Sequence, residues 1–323
     1  MHVIKRRVLE RLPSFSDIQL MSLGWSFANA ASLNPELWSA LRSEARRRGA
    51  LRDANLSNTT SSSSSHIPGV PIIRETASHL VINKPRGLVV SLHGDLTGPK
   101  QSPLSSRAGK SPELQNLVAT HLDTDIARRP EFAHGILHRL DKDTTGALLV
   151  AKNYESFYDL RIQFACGYIK KEYLAIVRGT LEPFGEWRSI HSRIATEKTS
   201  EAKLNIDSKI DASGKPALTQ VFPFAHLRAT TGDDITLVRI RIHTGRSHQI
   251  RVHLSSIGYP LLGDTKYGEH DDRHISSTLK LHSHRLEYIE PTEGDRVTIS
   301  APTPESFMDI LLPANVTAGS ISI

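Results

Sequence analysis

The spacing of hydrophobic and polar residues changes character near residue 70. Before that point apolar residues recur every three or four positions, which places them on one face of an α-helix. They form two series, Leu20, Leu23, Phe27 and Leu37, Leu41, Ala45. The second helix is predicted to begin at Pro35, because Asn34 can cap it and Glu36 suits the positive N-terminal end. The pattern therefore predicts two amphipathic helices in this part of the chain.

Beyond residue 70, short apolar runs bounded by turn residues indicate β-strands. They cover residues 79–90, with a Lys-Pro-Arg-Gly turn inside, 147–152, 172–177, 235–243 and 296–301. Helices are predicted at about 154–166 and 247–257, each closed by a glycine, with one short helix in the loop-rich stretch 98–135. Many strands and few helices in mixed order predict an α+β fold: a largely antiparallel sheet with flanking helices, preceded by a small helical unit.

A serine- and threonine-rich stretch, "NTTSSSSSHIPG", separates the two patterns. Such tracts bury too little apolar surface to offset chain entropy, so residues 57–71 are predicted to be a linker. It would join a helical unit over residues 1–56 to a larger domain over 72–312 and a tail over 313–323. The helical unit resembles the repeats of organellar RNA-binding proteins of the octotricopeptide and RAP-associated kind. A plain helical hairpin with a solvated basic face fits the same residues.

Composition narrows the possible partners and sites. The chain has 323 residues, a net charge of +6 and a pI near 9.4, which favours a polyanionic partner. The single cysteine, Cys166, excludes an internal disulfide and a zinc site built on several thiolates. It falls at the end of a predicted helix with no base nearby, so it is expected to be inert. The sequence has no apolar run of membrane-spanning length and no secretory signal, so no membrane association is expected.

One carboxylate stands out in the larger domain. In "HRLDKDTTGALLVAKN", residues 138–153, Asp141 follows a His-Arg pair and precedes a polar turn and an apolar strand. A carboxylate at the mouth of a strand is held on a rigid element, which suits a catalytic group. A plain turn or capping role suits the same position, and this stretch alone leaves both interpretations open.

Two further stretches place basic and aromatic side chains in regular elements. In "TGRSHQIRVHLSSIGYPLLGDTKYG", His248 and Arg251 share a face of the predicted helix, which suits a carboxylate or phosphate partner. His248 and His253 are five residues apart with no glutamate between them, which argues against the zinc motif of metalloproteases. In "YIKKEYLAIVRG", Tyr173 is either a core aromatic or a platform on which a base stacks.

Taken in order, these stretches resemble the RluA-type family of RNA pseudouridine synthases. The resemblance rests on "HLVINKPRGLVV", "HRLDKDTTGALLVAKN", "KKEYLAIVRG", "TGRSHQIRVHLSSIGYPLLGDTKYG" and "LKLHSHRLEYIEP". It implies the pseudouridine synthase fold and an enzyme that breaks the bond between uracil and ribose, turns the base and rejoins it through a ring carbon, without metal or cofactor. The sequence departs from the family where Thr145 replaces a common serine and Ala147 a common leucine. The helical unit stands where the family often has a basic RNA-binding module.

The resemblance also implies roles for individual residues. Asp141 corresponds to the indispensable aspartate, Arg251 to its basic partner and Tyr173 to the aromatic residue that stacks on the target uracil. Breaking a glycosidic bond develops positive charge on the sugar, and a carboxylate can stabilise that charge, trap it covalently or take a proton from the adjacent sugar carbon. The sequence leaves these three possibilities open. Contacts with RNA are expected from a mostly basic set: Arg139, His138, Lys84, Arg86, Arg246 and His248.

Two other hypotheses fit the sequence. One is a catalytically silent RNA-binding or scaffolding protein that keeps the fold, favoured by the helical unit and the basic charge. The other is a glycosidase with paired carboxylates, but the two-residue offset of Asp141 and Asp143 does not by itself create that geometry. The expected partner is ribosomal, transfer or messenger RNA, and a monomer is expected. The compartment stays open between a plastid or mitochondrion and the cytoplasm or nucleus.

Overall fold

The structure is a computed structural model that describes residues 2–56, 65–91, 113–198, 206–268 and 274–310. Residues 57–64 of the predicted linker and the whole predicted tail lie outside this part of the chain. Two compact units form. The first comprises Met1–Lys142, Ala147–Ile169 and Leu286–Ala301, and the second comprises Asp143–Gly146, Lys170–Arg285 and Pro302–Ile323. The first unit thus includes residues 1–56, and the domain boundary at the linker stays a prediction.

The helices follow the predicted pattern closely. They are α1 (His2–Arg11), α2 (Asp17–Asn29), α3 (Pro35–Asp53), α4 (Leu114–His121), α5 (Tyr154–Ala165), α6 (Gln249–Ser256) and α7 (Glu305–Met308). Local signals start two of them: Ser16 and Gln19 form a reciprocal capping box for α2, and Asn34 accepts a hydrogen bond from the backbone of Leu37 at 2.9 Å. The pair α2 and α3 is confirmed, whereas α1 was not predicted.

The strands include several that the sequence pattern did not indicate. They are β1 (Ile72–Glu75), β2 (His79–Lys84), β3 (Thr145–Ala151), β4 (Lys170–Arg178), β5 (Arg188–Lys198), β6 (Ile206–Ile210), β7 (Lys215–Arg228), β8 (Asp234–Ile242), β9 (Leu281–Ile289) and β10 (Arg296–Ser300). The predicted second strand inside 79–90 does not form, because the chain after Lys84 turns and makes only isolated bridges. The mixed composition of helices and strands is the predicted α+β class.

The first unit packs α2, α3 and α5 around strand β3. Its strands lie in the order β1–β2–β3, with β1 and β2 antiparallel. Leu20, Leu37 and Leu41 are fully buried and share a hydrophobic core with Leu160 and Ile162 of α5. The apolar stripes predicted on α2 and α3 therefore face this core, where burial of each large side chain contributes about 1.5–3 kcal/mol.

Several arginines of α3 pair with carboxylates of the first unit, so this helix does not present a wholly solvated basic face. Arg42 makes a two-pronged salt bridge with Asp159 of α5 at 2.7 and 2.8 Å, and the Asp159 carboxylate is fully buried. Burial raises the pKa of Asp159, while the hydrogen bonds and charge of Arg42 oppose that rise. Arg46 pairs with Glu155 at 2.6 Å near the start of the same helix. These pairs tie α3 to α5, so part of the basic charge serves the fold.

The end of α3 also caps the start of α5. Asp53 accepts hydrogen bonds from the backbone N–H groups of Tyr154 at 3.0 Å and Glu155 at 2.9 Å. Asn153 adds a side-chain cap to the backbone of Ser156 at 2.9 Å. The first N–H groups of a helix lack partners within it and carry partial positive charge, so a carboxylate from another helix satisfies and stabilises them.

The second unit is a sheet with α6 and α7 packed on it. Its strands lie in the order β9–β4–β8–β7–β5–β6, and the four neighbouring pairs from β4 to β6 are antiparallel. A second hydrophobic core includes Leu174, Ile176, Leu237 and Phe307. Strand β4 carries Tyr173 opposite Ile240 of β8 in this sheet.

Parallel pairing of β3 and β9 explains the Thr-Gly pair, Thr145 and Gly146, that follows Asp141 in the sequence. Thr145 pairs with His282 and Gly146 with Ser283, and the Thr145 hydroxyl lies 2.8 Å from Nδ1 of His282. A Cβ on Gly146 would lie 2.3 Å from the backbone oxygen of Ser283, and its φ of +114° lies in the region that favours glycine. Gly146 is therefore required by close backbone approach.

Candidate functional site

Asp141 lies at the end of a segment that runs antiparallel to β3. Ile136 forms a bridge with Val150, and the backbone N–H of Leu137 donates to the carbonyl of Leu149 at 3.2 Å. Leu140 is buried and Asp141 is half-buried, so the main chain before the carboxylate is anchored while the carboxylate keeps some access to solvent. This is the placement that a reactive group on a rigid element requires.

His138 is part of this anchor. Its side chain is buried, and Nε2 accepts a hydrogen bond from the backbone N–H of Leu149 at 3.2 Å. Its ring also packs 5.1 Å from that of Phe164. These contacts support the segment that carries Asp141, whereas Arg139, the next residue, is exposed. Of the two predicted RNA contacts, the position of Arg139 suits RNA and that of His138 suits a supporting role.

The residue after Asp141 is held by the turn that follows β2. The carbonyl of Lys142 accepts hydrogen bonds from the backbone of Gly87 at 2.9 Å and from Nζ of Lys84 at 3.0 Å. Nζ of Lys84 also donates to the carbonyl of Pro85 at 2.8 Å, and the side chain is fully buried. Burial of Lys84 gives no support to a contact with RNA phosphate. Its contacts instead support a role in holding the Asp141 turn.

Replacing Lys84 with methionine is expected to lower kcat by about tenfold to a hundredfold and to leave the RNA Kd close to that of the unchanged protein. Methionine fills similar space but donates no hydrogen bond to the Lys142 carbonyl, so the turn bearing Asp141 shifts. Asp141 is the predicted catalytic group, and small displacements of such a group have effects of this size. Single-turnover rates and filter-binding affinities on the same RNA measure the two quantities separately.

The matched variant is Arg86→Met, because Arg86 lies two residues away and is exposed. It is expected to raise Kd, since Arg86 is exposed and an exposed guanidinium can contact a phosphate. A Lys84→Met protein with a normal kcat and a Kd raised as much as in Arg86→Met would show that Lys84 binds RNA and does not position the turn.

In the second unit, Tyr173 and Lys171 lie on the same face of β4, because successive strand residues alternate between faces. Tyr173 is buried, at 5% exposure. Burial lowers the pKa of Lys171 to about 8, and its Nζ lies 3.7 Å from where a Cβ on Gly245 would be. Lys171 is not among the site residues predicted from the sequence. The sequence "KKEY" could have indicated it, because strand alternation places Lys171 on the same face as Tyr173.

Arg251 is held firmly on α6 by Asp264. Nε and Nη2 of Arg251 contact the two carboxylate oxygens of Asp264 at 2.8 and 2.7 Å. Burial opposes ionisation of Asp264, yet hydrogen bonds from Arg251 and the charge of Arg251 hold its pKa below the ordinary value. The guanidinium also lies 5.0 Å from the ring centroid of Tyr267. Fixed on two sides, Arg251 presents a permanent cation at a defined position.

His248 and Arg246 shape the turn before α6. Nδ1 of His248 lies 2.8 Å from the hydroxyl of Tyr267, and His248 itself is the N-cap of the helix with φ of +52°. Nε of Arg246 donates to the carbonyl of Pro216 at 3.1 Å. Both residues are half-buried, so each combines a structural contact with partial access to solvent. Their predicted contact with RNA stays a prediction.

Comparison with known proteins identifies the family of this scaffold. The model of the RNA pseudouridylate synthase family matches residues 78–256. This chain belongs to the RNA pseudouridine synthase family. The Pseudomonas aeruginosa ribosomal large subunit pseudouridine synthase D is 35% identical over 255 residues, which cover 74% of this chain and 70% of the relative. An uncharacterised RNA pseudouridine synthase of Bacillus subtilis is 32% identical over 241 residues, which cover 74% of this chain and 71% of that relative.

Solved structures agree with the family assignment. Human RNA pseudouridylate synthase domain containing 1 matches with a TM-score of 0.55 and 27% identity, covering 75% of this chain and 86% of that one. The predicted RluA-type family, α+β pseudouridine synthase fold and enzyme class are confirmed. The chain is thus a pseudouridine synthase, and the assignment of Asp141 as its catalytic residue stays a prediction.

The described residues show no reactive thiol, metal-binding cluster or membrane-spanning helix. Burial raises the pKa of the Cys166 thiol to about 12, which leaves it a poor nucleophile. Within the described ranges, no cluster of three or more histidine, cysteine, aspartate or glutamate side chains could hold a metal ion. In the same ranges, no helix has both the length and the apolar character to cross a bilayer.

His253 makes the stability of the second unit depend on pH. Its side chain is fully buried, with Nδ1 at 2.9 Å from the Thr219 hydroxyl. Burial, reinforced by the nearby His191, lowers the pKa of His253 from 6.5 to about 4. Above pH 6.5 both folded and unfolded states hold it neutral. As pH falls from 6.5 to 4 the unfolded state binds the proton first, so stability is lost, by up to roughly 3 kcal/mol.

His253→Asn is expected to have a lower free energy of unfolding than the unchanged protein at neutral pH. The difference between the two proteins should shrink as pH falls, because only the unchanged protein loses the contribution of the neutral, buried imidazole. The gap in the free energy of unfolding, measured by urea titration at pH 7.5, 6 and 5, should be largest at pH 7.5. The control is His66→Asn, which alters an exposed residue outside the helices and strands and should give a nearly constant gap. A constant gap for His253→Asn as well would contradict the burial argument.

Proposed function

We propose that the synthase converts uridine to pseudouridine in RNA with Asp141 as the reacting carboxylate. The observation that carries the proposal is the anchoring of the Asp141 turn. His138 holds it to β3 before the carboxylate, and Lys84 and Gly87 hold the carbonyl of Lys142 after it. A carboxylate fixed on both sides by main-chain contacts is preorganised, so little free energy is needed to orient it during the reaction.

The reaction needs one ionised oxygen at the sugar. When the bond between N1 of uracil and C1′ of ribose breaks, positive charge develops at C1′. The Asp141 carboxylate can oppose that charge, bond to C1′ or remove a proton from C2′. The base then turns, C5 bonds to C1′, the hydrogen on C5 leaves as a proton, and N1 takes up a proton from solvent. Each route begins with the ionised carboxylate and ends with the loss of the C5 hydrogen.

Two further residues are assigned supporting roles in this proposal. The family resemblance assigns Arg251, which Asp264 fixes in the second unit, as the basic partner of the reacting carboxylate, and a nearby cation favours the ionised form of a carboxylate. The family resemblance assigns Tyr173 the contact with the uracil ring, which is worth about 1–3 kcal/mol per base. That free energy offsets part of the cost of taking the uridine out of its stack, which is a few kcal/mol. Because Tyr173 is only 5% exposed, neighbouring side chains must move to admit the base.

Large-subunit ribosomal RNA is the first substrate to test. Several relatives at 31–35% identity are named ribosomal large subunit pseudouridine synthase D. Their similarity covers most of this chain, which supports a ribosomal substrate over transfer or messenger RNA. We also propose that the synthase acts as a monomer, and gel filtration of the assayed sample tests that state directly.

The experiment is a release assay with RNA carrying tritium at C5 of uridine. The purified chain is incubated with labelled large-subunit ribosomal RNA, and separately with labelled transfer and messenger RNA, in buffer containing a chelator. Release of tritium into water, with the modified position mapped by sequencing, is the expected result for the ribosomal RNA. Tight RNA binding with no release from any of the three would favour the silent RNA-binding protein instead.

A further inference from the structure

One face of the sheet in the second unit carries aromatic and basic side chains. Thr219 of β7 contacts α6 through His253, so the next residue, Gln220, points to the opposite face of the sheet. On that face Gln220 lies beside Arg241 of β8. The surface, here named the outer face, is defined by Trp187, Phe222, Arg239, Arg241 and His243.

Trp187 is the centre of the outer face. The guanidinium of Arg241 lies 4.3 Å from the centroid of its ring, and the ring of Phe222 lies 5.2 Å away at an angle of 42°. The indole remains 38% exposed and the Arg241 side chain 51% exposed. An exposed indole and a guanidinium stacked on it both offer flat surfaces on which unpaired bases stack.

The outer face is also positively charged. Arg241 pairs with the carboxylate of Glu172 at 3.0 Å. Arg239 is exposed and has no salt bridge within the part of the chain that the structure describes. Partial burial lowers the pKa of His243, and the positive charges of Lys170 and Arg241 lower it further. The cations around His243 on this face attract phosphate groups.

We propose that the outer face binds single-stranded RNA, with a base stacked on Trp187 or Arg241 and phosphates near Arg239. The proposal rests on the RNA-directed function proposed above and extends it. The outer face lies on the side of the sheet opposite to α6, which carries Arg251, so it would hold a stretch of RNA other than the reacting uridine. A flanking single strand held there would raise the affinity for long RNA without adding a contact to the reacting base.

The combination of features favours RNA over a protein partner. A protein interface typically has an apolar centre from which charged residues are depleted. Here the exposed indole is covered on one side by a guanidinium, and a second arginine stands on the neighbouring cross-strand pair. Interleaved arginines and aromatic rings are typical of surfaces that bind single strands with little sequence preference.

The test measures binding of a twelve-nucleotide oligoadenylate to the full chain. This probe contains no uridine, so its binding does not depend on the reaction. Trp187→Ala is expected to weaken binding by about tenfold, as loss of one stacked base does, and Trp187→Phe to restore most of the affinity. Arg239→Gln is expected to lower the slope of log affinity against log salt by about 0.7, the value for one phosphate contact to a single strand.

The matched control is Trp25→Ala, because Trp25 is an exposed indole on α2, outside the outer face. It should bind the oligoadenylate like the unchanged protein. Equal affinities and salt slopes in all variants would overturn the proposal.

The outcomes separate this inference from the proposed reaction. A protein that releases no tritium, yet loses affinity for oligoadenylate on Trp187→Ala, would overturn the proposed reaction and support RNA binding at the outer face. A protein that releases tritium, and whose affinity for oligoadenylate is unchanged by Trp187→Ala and Arg239→Gln, would support the proposed reaction and overturn RNA binding at the outer face.

Discussion

Replacing Asp141 with asparagine is expected to slow pseudouridine formation by at least about a thousandfold, equivalent to roughly 4 kcal/mol of transition-state stabilisation. The amide has nearly the same size and keeps the contacts of the turn, but it carries no negative charge. It therefore cannot oppose charge at C1′, bond to that carbon or remove a proton from C2′. Single-turnover tritium release from C5-labelled RNA measures the rate, and filter binding checks that Kd stays within a few fold.

Asp143→Asn is the matched control, because Asp143 is also a half-buried aspartate and lies two residues away. It should keep most of the activity. Loss of activity in both variants would favour the paired-carboxylate chemistry of a glycosidase, for which release of free uracil is the direct readout. Full activity in Asp141→Asn would remove Asp141 from the reaction, whatever its position in the motif.

Replacing Gly49 with alanine is expected to lower the free energy of unfolding by about 3 kcal/mol. A Cβ on Gly49 would lie 2.4 Å from Cα and 2.5 Å from N of Glu155, and 2.5 Å from the carbonyl oxygen of Tyr154. These are backbone atoms of α5, so α3 must move and strain the neighbouring Arg42–Asp159 and Arg46–Glu155 salt bridges. Urea denaturation followed by circular dichroism gives the free energy.

The sign of this effect is informative, because glycine to alanine inside an isolated helix stabilises by about 1 kcal/mol. Gly24→Ala in α2 is the matched control. A Cβ there would meet Sγ of Cys166 at 2.8 Å and Cδ1 of Ile162 at 3.1 Å. Both are side-chain atoms that can move aside, so the loss should be clearly smaller. A Gly49→Ala protein at least as stable as the unchanged one would show that α3 does not pack closely on α5.

Local chemistry determined the elements whose signals lie within one turn of sequence. Asn34 and Pro35 start α3, and the apolar stripes of α2 and α3 face the core, as their spacing predicts. The glycine-closed helices α5 and α6 formed within two residues of their predicted bounds. The ordered motifs indicated the family and activity that the comparisons confirm.

Strand assignments failed where the pattern lacked strong alternation. Strands β5 and β7 carry charged and polar residues such as Arg193, His191 and Gln220 on an exposed face, so neither reads as a clean apolar run. They form because neighbouring strands pair with them, and local residue propensities do not predict pairing between segments that are distant in sequence. The bulge between Pro223 and Ala225 further interrupts the period of β7.

The sequence by itself determined the fold class, the paired N-terminal helices, the family and the residues in its motifs, because each depends on short-range spacing or ordered motifs. Only the tertiary structure decided what the charged residues do. Lys84, predicted to contact RNA, is buried against main-chain carbonyls, and Arg42, on a helix for which a solvated basic face was one interpretation, pairs with Asp159. The reason is physical: burial and the proximity of a counter-charge fix a charged group's role, and both arise from segments far apart in sequence.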